Sequence, residues 1–143
     1  MTTLLGCFRA SGGNLFCTAY DAVLGRLLIA AGRPAAAREC LDTALALAQD
    51  TGMCYYDAEL LRLRARTHHE PAARQADINA ALELAGRQGA TLFELRAALD
   101  DFELRGEPAS CVVADAAKRM PANNAWPELA RAQAALSERS QCI

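Results

Sequence analysis

Apolar residues recur along this chain every three or four positions, the period of a helix with one buried face. Tyr20, Leu24, Leu27 and Ala31 mark one such stripe, and Ala37, Leu41, Ala44, Leu45 and Ala48 mark the next. The pattern continues through Leu60 to Leu63, Ile78 to Ala85, Leu92 to Phe102, Val112 to Met120 and Trp126 to Leu136. Turn residues punctuate it at Gly12-Gly13, Gly32-Arg33-Pro34, Gly52, Pro71, Gly89, Gly106-Glu107-Pro108 and Pro121. The spacing predicts about seven helices, near 14–31, 34–50, 54–69, 71–87, 90–104, 108–119 and 126–138. Short connections make neighbouring helices antiparallel. Composition agrees, since 32 Ala and 20 Leu stand against 13 Val, Ile and Thr in 143 residues, which disfavours a sheet.

An internal repeat separates an array from a generic bundle. Ala44-Leu45-Ala46-Leu47-Ala48, followed by Gly52, matches Ala81-Leu82-Glu83-Leu84-Ala85, followed by Gly89, at an offset of 37. Tyr55-Tyr56 then aligns with Leu92-Phe93. The period predicts a single all-α domain over 1–143, with helix hairpins at about 14–50, 54–87 and 90–119 and a capping helix at about 126–138.

The first hairpin resembles a tetratricopeptide repeat. Leu24-Gly25 and Leu28 stand where that family places a large residue beside a small one and another large one further on. Ala37, Leu41 and Ala44 follow as its small, large, small series. Small side chains at Gly25 and Ala37 let two helices approach, while Leu24, Leu28 and Leu41 fill the seam. Ile78 and Ala81 carry the same packing into the second hairpin. There the turn His68-His69-Glu70-Pro71 lacks a glycine, and Arg74 or Gln75 stands where a small residue is usual. The resemblance implies a right-handed array of antiparallel hairpins.

Read together, AYDAVLGRLLIAAGRPAAARECLDTALALAQDTG, YDAELLRLRA and ALELAGRQGATLFELRAALD resemble the C-terminal helical-repeat arms of bacterial signal-transduction ATPases. In that family an NTPase module, often joined to an adenylate cyclase or a LuxR-type helix-turn-helix domain, precedes such repeats. The resemblance covers roughly residues 14 to 105 and implies a non-catalytic signalling or regulatory arm that binds a protein partner. A remnant of a larger regulator, without activity of its own, is the alternative it leaves.

Charge and chemistry narrow the remaining choices. The net charge is −2, which disfavours binding that depends on neutralising many phosphates, so no nucleic acid is expected. The opening MTTLLGCFRA lacks the basic and long apolar regions of a secretory signal. Its Leu4-Leu5-Gly6-Cys7 looks like a lipoprotein box, but too few residues precede it. A soluble cytoplasmic protein with no membrane association is expected, its six cysteines reduced. Cys17, Cys40 and Cys54 read as small hydrophobes; redox sensing at Cys40 beside Arg38 is the sharper alternative.

A phosphate loop of the GxxxxGK[ST] form is absent, and Lys118 is the one lysine. His68 and His69 are adjacent, so on a helix they diverge, and a solvated helix end is expected in place of a metal site. Asp100-Asp101 with Glu103 reads as a polar outer face with Phe102 behind it. No catalytic residue, cofactor or metal is expected. Fourteen of the fifteen basic residues are arginine, whose planar fork suits carboxylates. Arg26, Arg62 and Arg66 lie on first helices of hairpins and form a candidate groove for an acidic peptide; surface pairing with Glu59 and Asp57 is the competing expectation. Self-association through an apolar end at Leu4, Leu5 and Phe8 would give a homodimer.

Overall fold

The computed structural model describes residues 17–121 and 126–137, and every regular element among them is helical. Seven α-helices follow in order: α1 (Cys17–Ala30), α2 (Pro34–Thr51), α3 (Asp57–Ala65), α4 (Pro71–Gln88), α5 (Thr91–Arg105), α6 (Ser110–Arg119) and α7 (Pro127–Ser137). Single 3₁₀ turns at Cys54–Tyr56 and Glu107–Ala109 lead into α3 and α6. The third helix departs most from its predicted span of 54–69. It stops at Ala65 because the chain tightens: the Arg66 N–H donates to Leu63 O and the Thr67 N–H to Arg64 O. The Thr67 hydroxyl also donates to Arg64 O at 2.7 Å. Glu70 is then extended (φ −82°, ψ 124°), as the residue before a proline must be.

The offset of 37 is built into the backbone. Both α2 and α4 are 18 residues long and begin with proline, whose fixed φ suits a first helical turn. Gly52 and Gly89 then close them with φ of 70° and 64°, a left-handed conformation that costs glycine nothing. Leu41, Ala44 and Ala48 map onto Ile78, Ala81 and Ala85, all fully buried. The match fails where buried Ala37 is replaced by Arg74, whose Nε is enclosed without a hydrogen-bond partner, and where half-buried Cys40 is replaced by buried Asp77.

Consecutive helices pack against one another, and α1, α3, α5 and α7 also touch in series, forming a second row of contacts. Two apolar clusters result. Leu41, Leu45, Leu60 and Leu63 with Ala22 and Ala44 form the first. Leu95, Leu99, Val113 and Met120 with Ala98, Ala116 and Ala132 form the second, with Trp126 and Phe102 packed against it. Leu4, Leu5 and Phe8, the expected apolar end, lie outside the described residues.

The orientation of α1 corrects the sequence reading. The predicted stripe of Tyr20, Leu24, Leu27 and Ala31 is not the inward one: Tyr20 is 53% and Leu27 52% exposed. Ala31 is exposed, and Leu24 and Leu28 are half-buried. The helix instead buries Thr18, Asp21, Ala22 and Gly25. Close approach explains the choice, because a Cβ on Gly25 would lie 2.8 Å from Leu41 Cδ2. The small face goes inward and the large apolar residues are left on the outside.

Gly25→Val is therefore expected to lower stability by about 1–3 kcal/mol through overpacking, read by urea denaturation. Leu41→Ala opens a cavity worth about 2–5 kcal/mol by itself. Combined with Gly25→Val it should cost less than the sum, since the new methyls occupy the vacated space.

Candidate functional site

Between α1 and α3 lies a cleft of about 250 Å³ lined by Arg26, Ile29, Ala30, Arg62, Leu63 and Arg66. Contact between the odd-numbered helices brings the three arginines of the sequence reading to one place. Their environments differ sharply. Arg62 is 7% exposed. It donates from Nε and Nη2 to the Glu59 carboxylate at 2.8 and 2.9 Å, and from Nη1 to Asp100 Oδ2 at 2.7 Å. Arg66 has a half-exposed side chain and reaches Asp100 Oδ1 from Nη1 at 3.2 Å. Arg26 is exposed and makes no hydrogen bond or ion pair among the described residues.

The network extends beyond the cleft. Glu59 also faces Arg96 at 3.4 Å, and Arg96 Nε donates to Glu128 on α7 at 2.7 Å. Three of the odd-numbered helices are thus tied by charge. Burial opposes the Arg62 cation, but hydrogen bonds and charge from Glu59 and Asp100 outweigh it and raise its pKa. Burial alone would lift the Glu128 carboxyl; Arg96 reverses this and holds it below the usual carboxylate range.

Asp100 and Asp101 correct a second expectation. Instead of a polar outer face, they are 1% and 0% exposed. Asp101 accepts from Gln75 Nε2 at 2.8 Å and from Arg105 Nε at 2.7 Å, with a further bond from Arg105 Nη2. Desolvation pushes its carboxyl up, but Arg105 and Gln75 bring it below the ordinary value. Phe102 is half-buried and Glu103 is exposed, paired with Arg131 at 2.9 Å. A signal was available in the sequence: Asp101 follows Ala97 and Ala98 by four and three residues, which places it on the same inward stripe.

His68 likewise belongs to a packed network and not to a solvated end; His69 is exposed. Arg38 Nη2 lies 2.8 Å from His68 Nδ1, and His68 Nε2 lies 2.8 Å from Asp77 Oδ2. A guanidinium only donates, so Nδ1 accepts and Nε2 carries the proton given to Asp77. Arg64 donates to Asp77 from Nε and Nη2 at 2.8 and 2.6 Å, and from Nη1 to Asp42 at 2.9 Å. These contacts clamp α2, α3 and α4 together. Arg64 and His68 overcome the burial penalty and depress the Asp77 carboxyl.

Arg38, the cation noted beside Cys40, is held by Thr67 O and His68. The Cys40 Sγ lies 3.8 Å from the Asp21 carbonyl oxygen and 3.9 Å from its Oδ1. Burial and the neighbouring Asp57 push the Cys54 thiol up. Burial also raises the Asp57 carboxyl. Among the described residues no group of three or more His, Cys, Asp or Glu could hold a metal, and no helix is long and apolar enough to cross a membrane. No protein family, curated protein or solved structure matches the chain.

Arg62→Ala is expected to cost about 3–5 kcal/mol in urea denaturation, because Asp100 is left buried with one counter-charge fewer. Arg62→Met with Asp100→Leu should recover much of that loss, since Glu59 keeps Arg96. The depressed carboxyls of Asp77, Asp101 and Glu128 set the pH dependence. Their stabilisation is complete above the unfolded carboxylate value of about 4 and is lost as pH falls through the lower folded values. A thermal melt should hold its Tm from neutral pH down to about 5 and fall steeply below about 4. Asp77→Asn should have a lower Tm at neutral pH and a shallower acid slope. Asp57, raised, runs the other way and costs stability above its folded pKa.

Proposed function

We propose that this chain is a non-catalytic helical-repeat module of the tetratricopeptide-like kind, a right-handed array of antiparallel hairpins that binds a protein partner as a signalling or transcription-regulator arm. The 37-residue helix pair with matching proline starts and glycine ends supports the repeat reading. The likeness of residues 14 to 105 to arms of signal-transduction ATPases supports the regulatory one. The observation that carries the binding reading is the face made by α1, α3 and α5, where a cleft ends in Arg26, a cation with no partner among the described residues. Such a face offers guanidinium donors beside an apolar wall, a chemistry suited to recognition.

A second reading, self-association, is favoured by α1 itself. Tyr20, Val23 and Leu27 form an outward apolar strip on that helix, of the kind a symmetric pair of copies would cover.

With a partner copurified from the native cell, Arg26→Ala combined with Arg66→Ala is expected to weaken binding about tenfold or more, a loss near 1.4 kcal/mol. Arg87→Ala, on the exposed side of α4, should leave it unchanged. Equal effects from both variants, or none from either, would remove the odd-numbered face as the binding surface. Sedimentation of the free chain at rising concentration separates the two readings, and Leu27→Arg should abolish any dimer.

A further inference from the structure

Resting on the binding reading above, the three arginines of the cleft divide into one that holds the fold and two that are open to a ligand. All three nitrogens of Arg62 are engaged by Glu59 and Asp100. Arg66 spends one contact on Asp100, at 3.2 Å, and Arg26 spends none among the described residues. A guanidinium has five donor hydrogens in a fork that matches a carboxylate. Most of that capacity is free at Arg26 and Arg66.

Charge fixes the ligand's valence. Arg62, Arg66 and Arg96 balance Glu59, Asp100 and Glu128 in the linked cluster, so Arg26, which lines the same cleft outside those pairs, leaves one positive charge in excess. A single carboxylate neutralises it, whereas a phosphate dianion would overshoot. Size and lining fix the rest. The 250 Å³ cleft is smaller than the range of about 300–1,000 Å³ that takes drug-sized ligands or cofactors. Its wall between the cations is Ile29, Ala30 and Leu63, which excludes water from one side and strengthens charge pairing beside it.

We propose that the cleft between α1 and α3 binds an acidic residue adjacent to an aliphatic one in a peptide segment of a partner protein. Arg26 and Arg66 take the carboxylate, and Ile29, Ala30 and Leu63 take the aliphatic side chain. Asp100 acts as an internal competitor: the incoming carboxylate draws Arg66 away from it, while Arg62 keeps it neutralised. Arg62 is a positioning residue.

The test is NMR titration of the full chain, following backbone amides and arginine Nε–H signals. The probes are acetyl-Ala-Leu-Glu-Ala-amide, its Leu-Gln and Gly-Glu counterparts, and inorganic phosphate. The Leu-Glu peptide should shift the signals of Arg26, Arg66, Ala30 and Leu63, leave Arg62 Nε–H in place, and bind with Kd near 1 mM. The Leu-Gln and Gly-Glu peptides, and the exposed-site variant Arg26→Gln, should each weaken binding about tenfold. No shift with the Leu-Glu peptide, equal binding of Leu-Gln, insensitivity to Arg26→Gln, or tighter binding of phosphate would each overturn the proposal. If a protein partner still depends on Arg26 and Arg66 when the peptide fails, the binding face stands and only the ligand class falls. If the partner also ignores both arginines, the binding reading falls with it.

Discussion

The middle of the molecule is held by a guanidinium buried between two apolar clusters. Arg62 on α3 is enclosed by Glu59 beside it and Asp100 on α5. The leucines of α3 belong to one cluster and those of α5 to the other. An apolar contact there would tolerate sliding. A buried cation with fixed acceptors does not, since moving α5 along α3 by one residue would strand both Arg62 and Asp100 without counter-charges. Such a pair adds little stability over a well-packed apolar substitute. What it adds is a single permitted alignment of the odd-numbered helices, and that alignment places Arg26 and Arg66 across one cleft.

The same logic recurs at two further junctions. Arg64 and His68 converge on Asp77 where α2, α3 and α4 meet, and Gln75 and Arg105 converge on Asp101 between α4 and α5. The helices are rich in alanine, whose burial contributes little area per residue. Close approach is thereby allowed, but direction must come from elsewhere, and arginine forks supply it.

Helix positions were legible because period, proline and glycine all mark the same boundaries; the buried alanines at 44 and 81 follow from the repeat, and Ala37 from the helical stripe it shares with Leu41 and Ala44. What the residues hid was the facing of individual helices. On α1 hydrophobicity pointed to Tyr20 and Leu27 as core, whereas Gly25 against Leu41 required the small face inside. Asp100 and Asp101 looked solvent-facing because a charge was read alone; their burial depends on Arg62, Arg66 and Gln75, which sequence distance conceals, as well as on Arg105 one turn away. The three cleft arginines were found by their place on alternate helices. Their division into one saturated and two open side chains was not accessible, because it is set by Asp100, 38 residues from Arg62.

The 37-residue unit carries one further consequence. Its proline and glycine ends are interchangeable, so tandem duplication could lengthen the chain without new junction chemistry at those ends. The buried charges forbid shuffling, however. At the shared offset Arg62 corresponds to Leu99, and Asp100 to Leu63, so the two copies bear opposite halves of one lock, and exchanging them would put leucine at both 62 and 100 and dissolve it. The caps are alike in both copies, while individual identity resides in a single ionic address.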